Sequence, residues 1–198
     1  MDFPDGVEAQ GLTTGLEIGA NAVNALSIVL AARNSIHTWW LGIIGCALFG
    51  IVFFLSQLYA DMLLQLFFIG TSAVGWWQWR AGGGNGTGLP VTRVTWSSIV
   101  LIVLAAVAVG AGYGYLLWRF TDAFAPWVDS LVLTLSVAAQ LLLMQRKYES
   151  WWLWLMVNTL SVVLFSVRGL WVTAGLYSAF WINAAVALVR WRRLVTPR

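Results

Sequence analysis

Apolar runs of roughly 17 to 25 residues recur about seven times along this chain, each long enough for one helix to cross a hydrocarbon core of about 30 Å. No other property narrows the fold as far, because only helices and closed barrels keep every backbone polar group bonded inside lipid. With 60% hydrophobic and 10% charged residues among 198, and a mean hydropathy of +0.80, the chain is too apolar for a soluble domain. The expectation is an all-α, multi-pass integral membrane protein with seven transmembrane helices, the bilayer its first partner. The net charge of +3 sits in loops and tails, so nucleic-acid binding is not implied. The opening MDFPDGVEAQG is acidic and lacks a basic region and an apolar run, so no cleavable signal peptide is expected.

Helices are predicted near Leu16 to Arg33, Trp39 to Gln57, Ala60 to Trp79, Val94 to Trp118, Trp127 to Gln145, Trp151 to Val167 and Leu170 to Trp191. A short amino-terminal segment (1–15) precedes them and a basic tail (193–198) follows. The glycines and proline of 81–93 mark a flexible connection. That loop lacks the G-x-x-x-x-G-K-[ST] order of a phosphate cradle. Its Asn85-Gly86-Thr87 matches a glycosylation sequon, which matters only if the loop is luminal. The charges argue otherwise. With the amino terminus outside, the inner segments hold nine of the 11 basic residues, and the outer ones hold only Arg119 and Arg168. The positive-inside rule therefore places the carboxyl terminus in the cytoplasm. Tryptophans gather at predicted helix ends (Trp39, Trp40, Trp76, Trp77, Trp79, Trp151, Trp152, Trp191), where interface anchoring is the default reading.

Shifted by 112 positions without a gap, the chain matches itself. Glu17 meets Asp129, Leu30 meets Leu142, Trp39 to Leu41 meet Trp151 to Leu153, and Phe53 meets Phe165. Leu58 meets Leu170, Phe68 meets Phe180, and Trp79-Arg80 meets Trp191-Arg192. Apolar matches are cheap here; paired tryptophans at constant offset are not. Two three-helix units are expected (16–80 and 127–192), joined by one linking helix (94–119). A single crossing between them makes the repeats parallel, about an axis along the membrane normal, in a 3+1+3 plan.

In helix six, Trp151, Trp154, Asn158, Ser161 and Phe165 recur at steps of three, four, three and four, along one face. Lipid has no use for the Asn158 amide, since an unpaired polar group in hydrocarbon costs several kcal/mol. That face must look inward. Gln65, Ser72, Trp76 and Trp79 on helix three fit one face as well. Helix five offers Ser136 and Gln140; helix seven offers Tyr177, Trp181 and Asn183; helix one offers Asn21 and Asn24. Amides, hydroxyls and flat rings suit a planar, polyhydroxylated solute. Taken singly, such groups also serve as glue between helices. Glu17, Asp61 and Asp129 lie near predicted helix starts, where acids meet the helix dipole. The lone Cys46 reads as packing material.

No ionisable residue is clearly placed at the centre of a crossing, where ion-coupled carriers keep one. A facilitator fits better, with accumulation left to a trapping step such as cytoplasmic phosphorylation. A retinal photoreceptor is excluded, because the one lysine, Lys147, lies in a loop. A hydrolase has no nucleophile-base signature, and the single histidine, His37, makes no metal site alone. No enzyme, cofactor or metal is expected. A non-transporting scaffold stays open.

The Trp151-x-x-Trp154-x-x-x-Asn158 spacing, the preceding QRKYES, the run from Arg168 to Tyr177, and the LYADMLLQ and GWWQW segments of helix three resemble the PnuC family of bacterial inner-membrane vitamin transporters. The resemblance spans nearly the whole chain. It implies a SWEET-like fold, a homotrimer, and facilitated diffusion of nicotinamide riboside with phosphorylation inside the cell. It further implies that Trp151, Trp154 and Asn158 line the substrate site, with Gln78 and Tyr177 in matching segments. Related branches carry thiamine or riboflavin, and these stay as alternatives.

Overall fold

A computed structural model describes residues 6–55, 59–82, 89–122 and 124–195. Leu58, the sequon at Asn85, Arg198 and the side chain of Asp61 lie outside them. Seven helices follow in order: α1 (Gly6–Ala32), α2 (His37–Leu55), α3 (Tyr59–Ala81), α4 (Trp96–Phe120), α5 (Pro126–Met144), α6 (Ser150–Val167) and α7 (Trp171–Arg192). Among the described residues, α1, α2, α4, α5 and α6 are long and apolar enough to cross a membrane by composition. The chain is an all-helical, multi-pass membrane protein.

One boundary departs from expectation. α1 begins at Gly6 rather than near Leu16, because Val7-Glu8-Ala9-Gln10 continues the helix although the apolar run has not begun. Apolarity marks the stretch that fits lipid, whereas backbone bonding marks the helix. Glu17 consequently stands within α1, not near its start.

Three helices end alike. Ser35 N bonds Leu30 O and Asn34 N bonds Ala31 O after α1. Lys147 N to Leu142 O with Arg146 N to Leu143 O repeats the pattern after α5, and Leu170 N to Phe165 O with Gly169 N to Ser166 O repeats it after α6. These are Schellman closures, which need a left-handed residue. Asn34 (φ 57°), Arg146 (φ 55°) and Gly169 (φ 73°) supply it. Asn34 and Arg146 are themselves 112 positions apart.

Among the described residues the helices form a ring. α1 packs on α2, α2 on α3, α3 on α5, α5 on α6, α6 on α7, and α7 back on α1. α4 packs against α5, through the buried stripe Ala106, Gly110 and Gly114. A Cβ on Gly110 would stand 2.9 Å from Thr134 Oγ1, so glycine is what lets these helices approach.

Tryptophan sets one of the close contacts inside the ring. The Trp39 ring lies against Gly75 of α3, where a Cβ would stand 2.7 Å from it. Gly75→Ala is therefore expected to cost about 2 kcal/mol through overpacking, lowering the thermal midpoint by roughly 4–8 °C. Gly70→Ala, where a Cβ meets nothing within 4 Å, leaves the midpoint unchanged in the same fluorescence melt.

Candidate functional site

The α6 stripe turns inward. Trp151, Asn158 and Ser161 are buried, while Trp152, Met156, Thr159, Val163 and Val167 are exposed on the opposite face. Trp154 is half-buried and wedges between two core clusters, one built on Trp39, Trp79, Trp151 and Trp191, the other on Leu135, Ala139, Leu153 and Val157.

Four tryptophans close one end of the ring. Trp39 meets Trp79 edge-on at 5.2 Å between centroids, Trp79 lies 5.7 Å from Trp191, and Trp191 meets Trp151 edge-on at 5.5 Å. None is more than 4% exposed. Interface anchoring fits the exposed Trp40, Trp76, Trp77 and Trp152, but not these four. Trp79 Nε1 donates to the carbonyls of Leu143 (3.3 Å) and Met144 (3.1 Å), and Trp191 Nε1 to Ala31 (3.3 Å). Both tryptophans and both acceptors Ala31 and Leu143 are related by the offset of 112.

Arg146 fastens this end, and sequence pattern alone counted it only as a loop charge. Its Nε donates to Asn34 Oδ1 at 3.0 Å, its Nη1 to the Leu89 carbonyl, and its guanidinium sits 4.5 Å from the Trp79 centroid. Burial pulls its pKa below that of a free arginine. The end of the 81–93 loop is fastened too, not a free linker. Thr92 exchanges backbone bonds with Arg146 and Tyr148, Lys147 Nζ donates to Thr92 Oγ1 at 2.9 Å, and Val94 N donates to Glu149 Oε2 at 2.9 Å. Loops 33–36, 89–95 and 145–149 thus converge where most basic residues lie.

The structure separates amides that serve packing from amides without partners. Asn21 bonds its own helix at Glu17 O, Ser136 bonds Val132 O, and Asn183 donates to Ile28 O at 3.1 Å in the α1–α7 seam. Asn183 is thereby committed to packing at a distance from the α6 stripe. Trp76 and Trp181 fall on the exposed surface, the latter bonded to Thr159. Gln65 stands against Gly50 of α2. Tyr177 does meet the stripe, stacked on Phe165 at 5.2 Å. Among the described residues Asn158, 5% exposed, makes no hydrogen bond, and Trp39 Nε1, Gln78 Oε1, Trp151 Nε1 and Ser161 Oγ, as well as Ser130 Oγ on α5 and Ser150 Oγ at the start of α6, are fully buried with no protein partner. Each buried polar group left so costs about 1–3 kcal/mol. Such a cost is expected where a polar solute is to be received.

The model of a family described as nicotinamide mononucleotide transporter matches residues 14–193. The nicotinamide riboside transporter PnuC of Escherichia coli K12 is 30% identical, over 90% of this chain and 86% of its own. The Neisseria mucosa protein of that name is 26% identical, over 89% and 71%. A riboflavin/roseoflavin transporter, RibM of Streptomyces davaonensis, is 26% identical over 75% and 71%. The crystal structure of the vitamin B3 transporter PnuC superposes with a TM-score of 0.70 at 25% identity, covering 91% of this chain and 82% of that one. A family match over nearly the whole length, on a fold shared with a solved member, means that this chain belongs to the nicotinamide mononucleotide transporter family.

Proposed function

We propose that this chain carries nicotinamide riboside across the bacterial inner membrane by facilitated diffusion, with Trp154 and Asn158 at the heart of its site. One observation carries the reading: a half-buried indole one turn from a buried amide that no protein group bonds, on an inward helix face. An indole holds the cationic nicotinamide ring by cation-π attraction, and an amide with both donor and acceptor free suits ribose hydroxyls. Trp151, Gln78 and Tyr177 complete the lining. Gln65, against Gly50 on the α2–α3 contact, is assigned to the proposed site less directly, and Asn183, spent on the α1–α7 seam, is left out of it. A mononucleotide would bring a phosphate, which calls for a cation. The inward α6 face has none, and Arg146 is already engaged beyond the tryptophans. The riboside fits that neutral lining better.

The proposed architecture is SWEET-like: seven crossings, with α1–α3 and α5–α7 as parallel repeats and α4 as the link. Supporting it are the reciprocal tryptophan bonds, the paired Asn34 and Arg146 turns and the six-helix ring. The amino terminus is placed outside and the basic end in the cytoplasm. The described conformation is then closed on the inside by its tryptophans, and transport requires that end to open. Assembly as a homotrimer and trapping by cytoplasmic phosphorylation complete the proposal. The likeness to RibM favours riboflavin as the second reading, with thiamine a third.

Titrating the purified full chain with nicotinamide riboside, thiamine and riboflavin, followed by calorimetry, decides the substrate. Saturable binding of nicotinamide riboside alone is expected, and binding of another vitamin alone would reassign the substrate within the family. A solute that only equilibrates should reach equal concentrations on both sides of proteoliposomes lacking a kinase; uphill accumulation there would overturn facilitated diffusion.

A further inference from the structure

A groove of about 270 Å³ opens on the outside of the ring, along the α1–α7 seam. Its walls are Val29, Ile182 and Val186, each well exposed to what would be lipid. At the basic end it is flanked by Arg33 and Arg190, one from each helix. Both are exposed, and among the described residues neither guanidinium has an acidic or hydrogen-bonding partner. Two unpaired positive charges over an apolar trough at the membrane interface match one chemistry, an anionic headgroup above an acyl chain. The carboxyl ends of α1 and α7 carry partial negative charge here, about half a unit each, and two full guanidinium charges exceed it.

We infer that the α1–α7 groove is a binding site for an anionic phospholipid, with Arg33 and Arg190 on the phosphate and Val29, Ile182 and Val186 along the chain. Among the described residues the related seam does not repeat the site. At the positions 112 residues away the arginines are replaced by Gln145 and Gln78, so the related α3–α5 seam offers no guanidinium pair. Asn183, bonded across the seam to Ile28, holds the two walls together. A free phosphate would satisfy the arginines but leave the trough empty, which is why the lipid is the occupant.

Full-length protein in detergent, titrated with dioctanoyl phosphatidylglycerol, should show a saturable rise in thermal midpoint that dioctanoyl phosphatidylcholine does not produce. The double variant Arg33→Gln/Arg190→Gln should bind the anionic lipid about thirtyfold more weakly, the worth of two interfacial arginines. Arg80→Gln, at the same end but outside the groove, should bind as wild type does. Equal response to both lipids, an unchanged double variant, or full reproduction of the rise by inorganic phosphate would overturn the inference. So would loss of assembly mass in the double variant without a lipid effect, which would make the groove a contact between copies. Native mass spectrometry of the wild-type protein needs no variant: retained phosphatidylglycerol is expected, and no preference over phosphatidylcholine would be fatal.

Discussion

Asn158→Leu removes saturable nicotinamide riboside binding while the protein still elutes as a folded particle. Leucine is nearly isosteric with asparagine and suits the apolar surroundings of α6, where Leu153 and Val157 pack the α5 side. Because the native amide has no protein hydrogen bond to lose, its replacement should leave stability unchanged or raise it. The solute, by contrast, would bury hydroxyls against an alkyl group. That leaves them unpaired at about 2–3 kcal/mol, or roughly 30- to 150-fold in affinity. Trp154→Ala should weaken binding about as much by removing the ring that holds the cation, but it also opens space between two core clusters and should lower the melting temperature. The pair of variants separates site from scaffold. Calorimetry on both, beside a thermal melt, is the check, and a folded Asn158→Leu that binds normally would sink the transporter site proposed on α6.

The second large effect is expected at Arg146. Arg146→Met gives up the bond to Asn34, the bond to Leu89 and the cation-π contact with Trp79. Bonds from a charged donor contribute about 1.5–3 kcal/mol and a cation-π contact about 1. Arg146 is only part-buried, so solvent recovers roughly half of that sum; the variant should lose about 3 kcal/mol, and its midpoint should fall by roughly 6–12 °C. Arg146→Gly loses the same contacts but relieves a side chain held at φ 55°, so it should be less destabilised by about 1 kcal/mol. A red shift in tryptophan emission should accompany both, since four buried indoles lie behind the guanidinium. If both variants melt as wild type does, Arg146 is an idle surface charge and the closed end is held otherwise.

The two sides of helix six show what periodicity can convey. Steps of three and four put Asn158 with Trp151 and Ser161, and burial puts all three inside, because a helix's angular repeat is local and the cost of an amide in lipid is general. Asn183 shows the limit. It carries the same amide, yet it donates to Ile28 O across a seam, and the neighbour that satisfies it is 155 residues away. No local spacing encodes that. Trp39, Trp79, Trp151 and Trp191 misled for a related reason. At helix ends an indole suits the interface as well as it suits a core, and only the approach of the ends of α2, α3, α6 and α7 decides between them.

By itself, then, the order of residues determined the helical, multi-pass class, the seven helices of which five, among the described residues, are apolar enough to span, the inward face of α6 and the offset of 112. Each follows from the length of apolar runs, the turn angle of a helix or the identity of residues at fixed separation. The tertiary structure alone decided which polar groups remain unpartnered, which tryptophans close the basic end, that Arg146 pins Asn34, and that Arg33 and Arg190 share one groove. Those depend on distances between segments far apart in the chain, set when the helices pack into a ring.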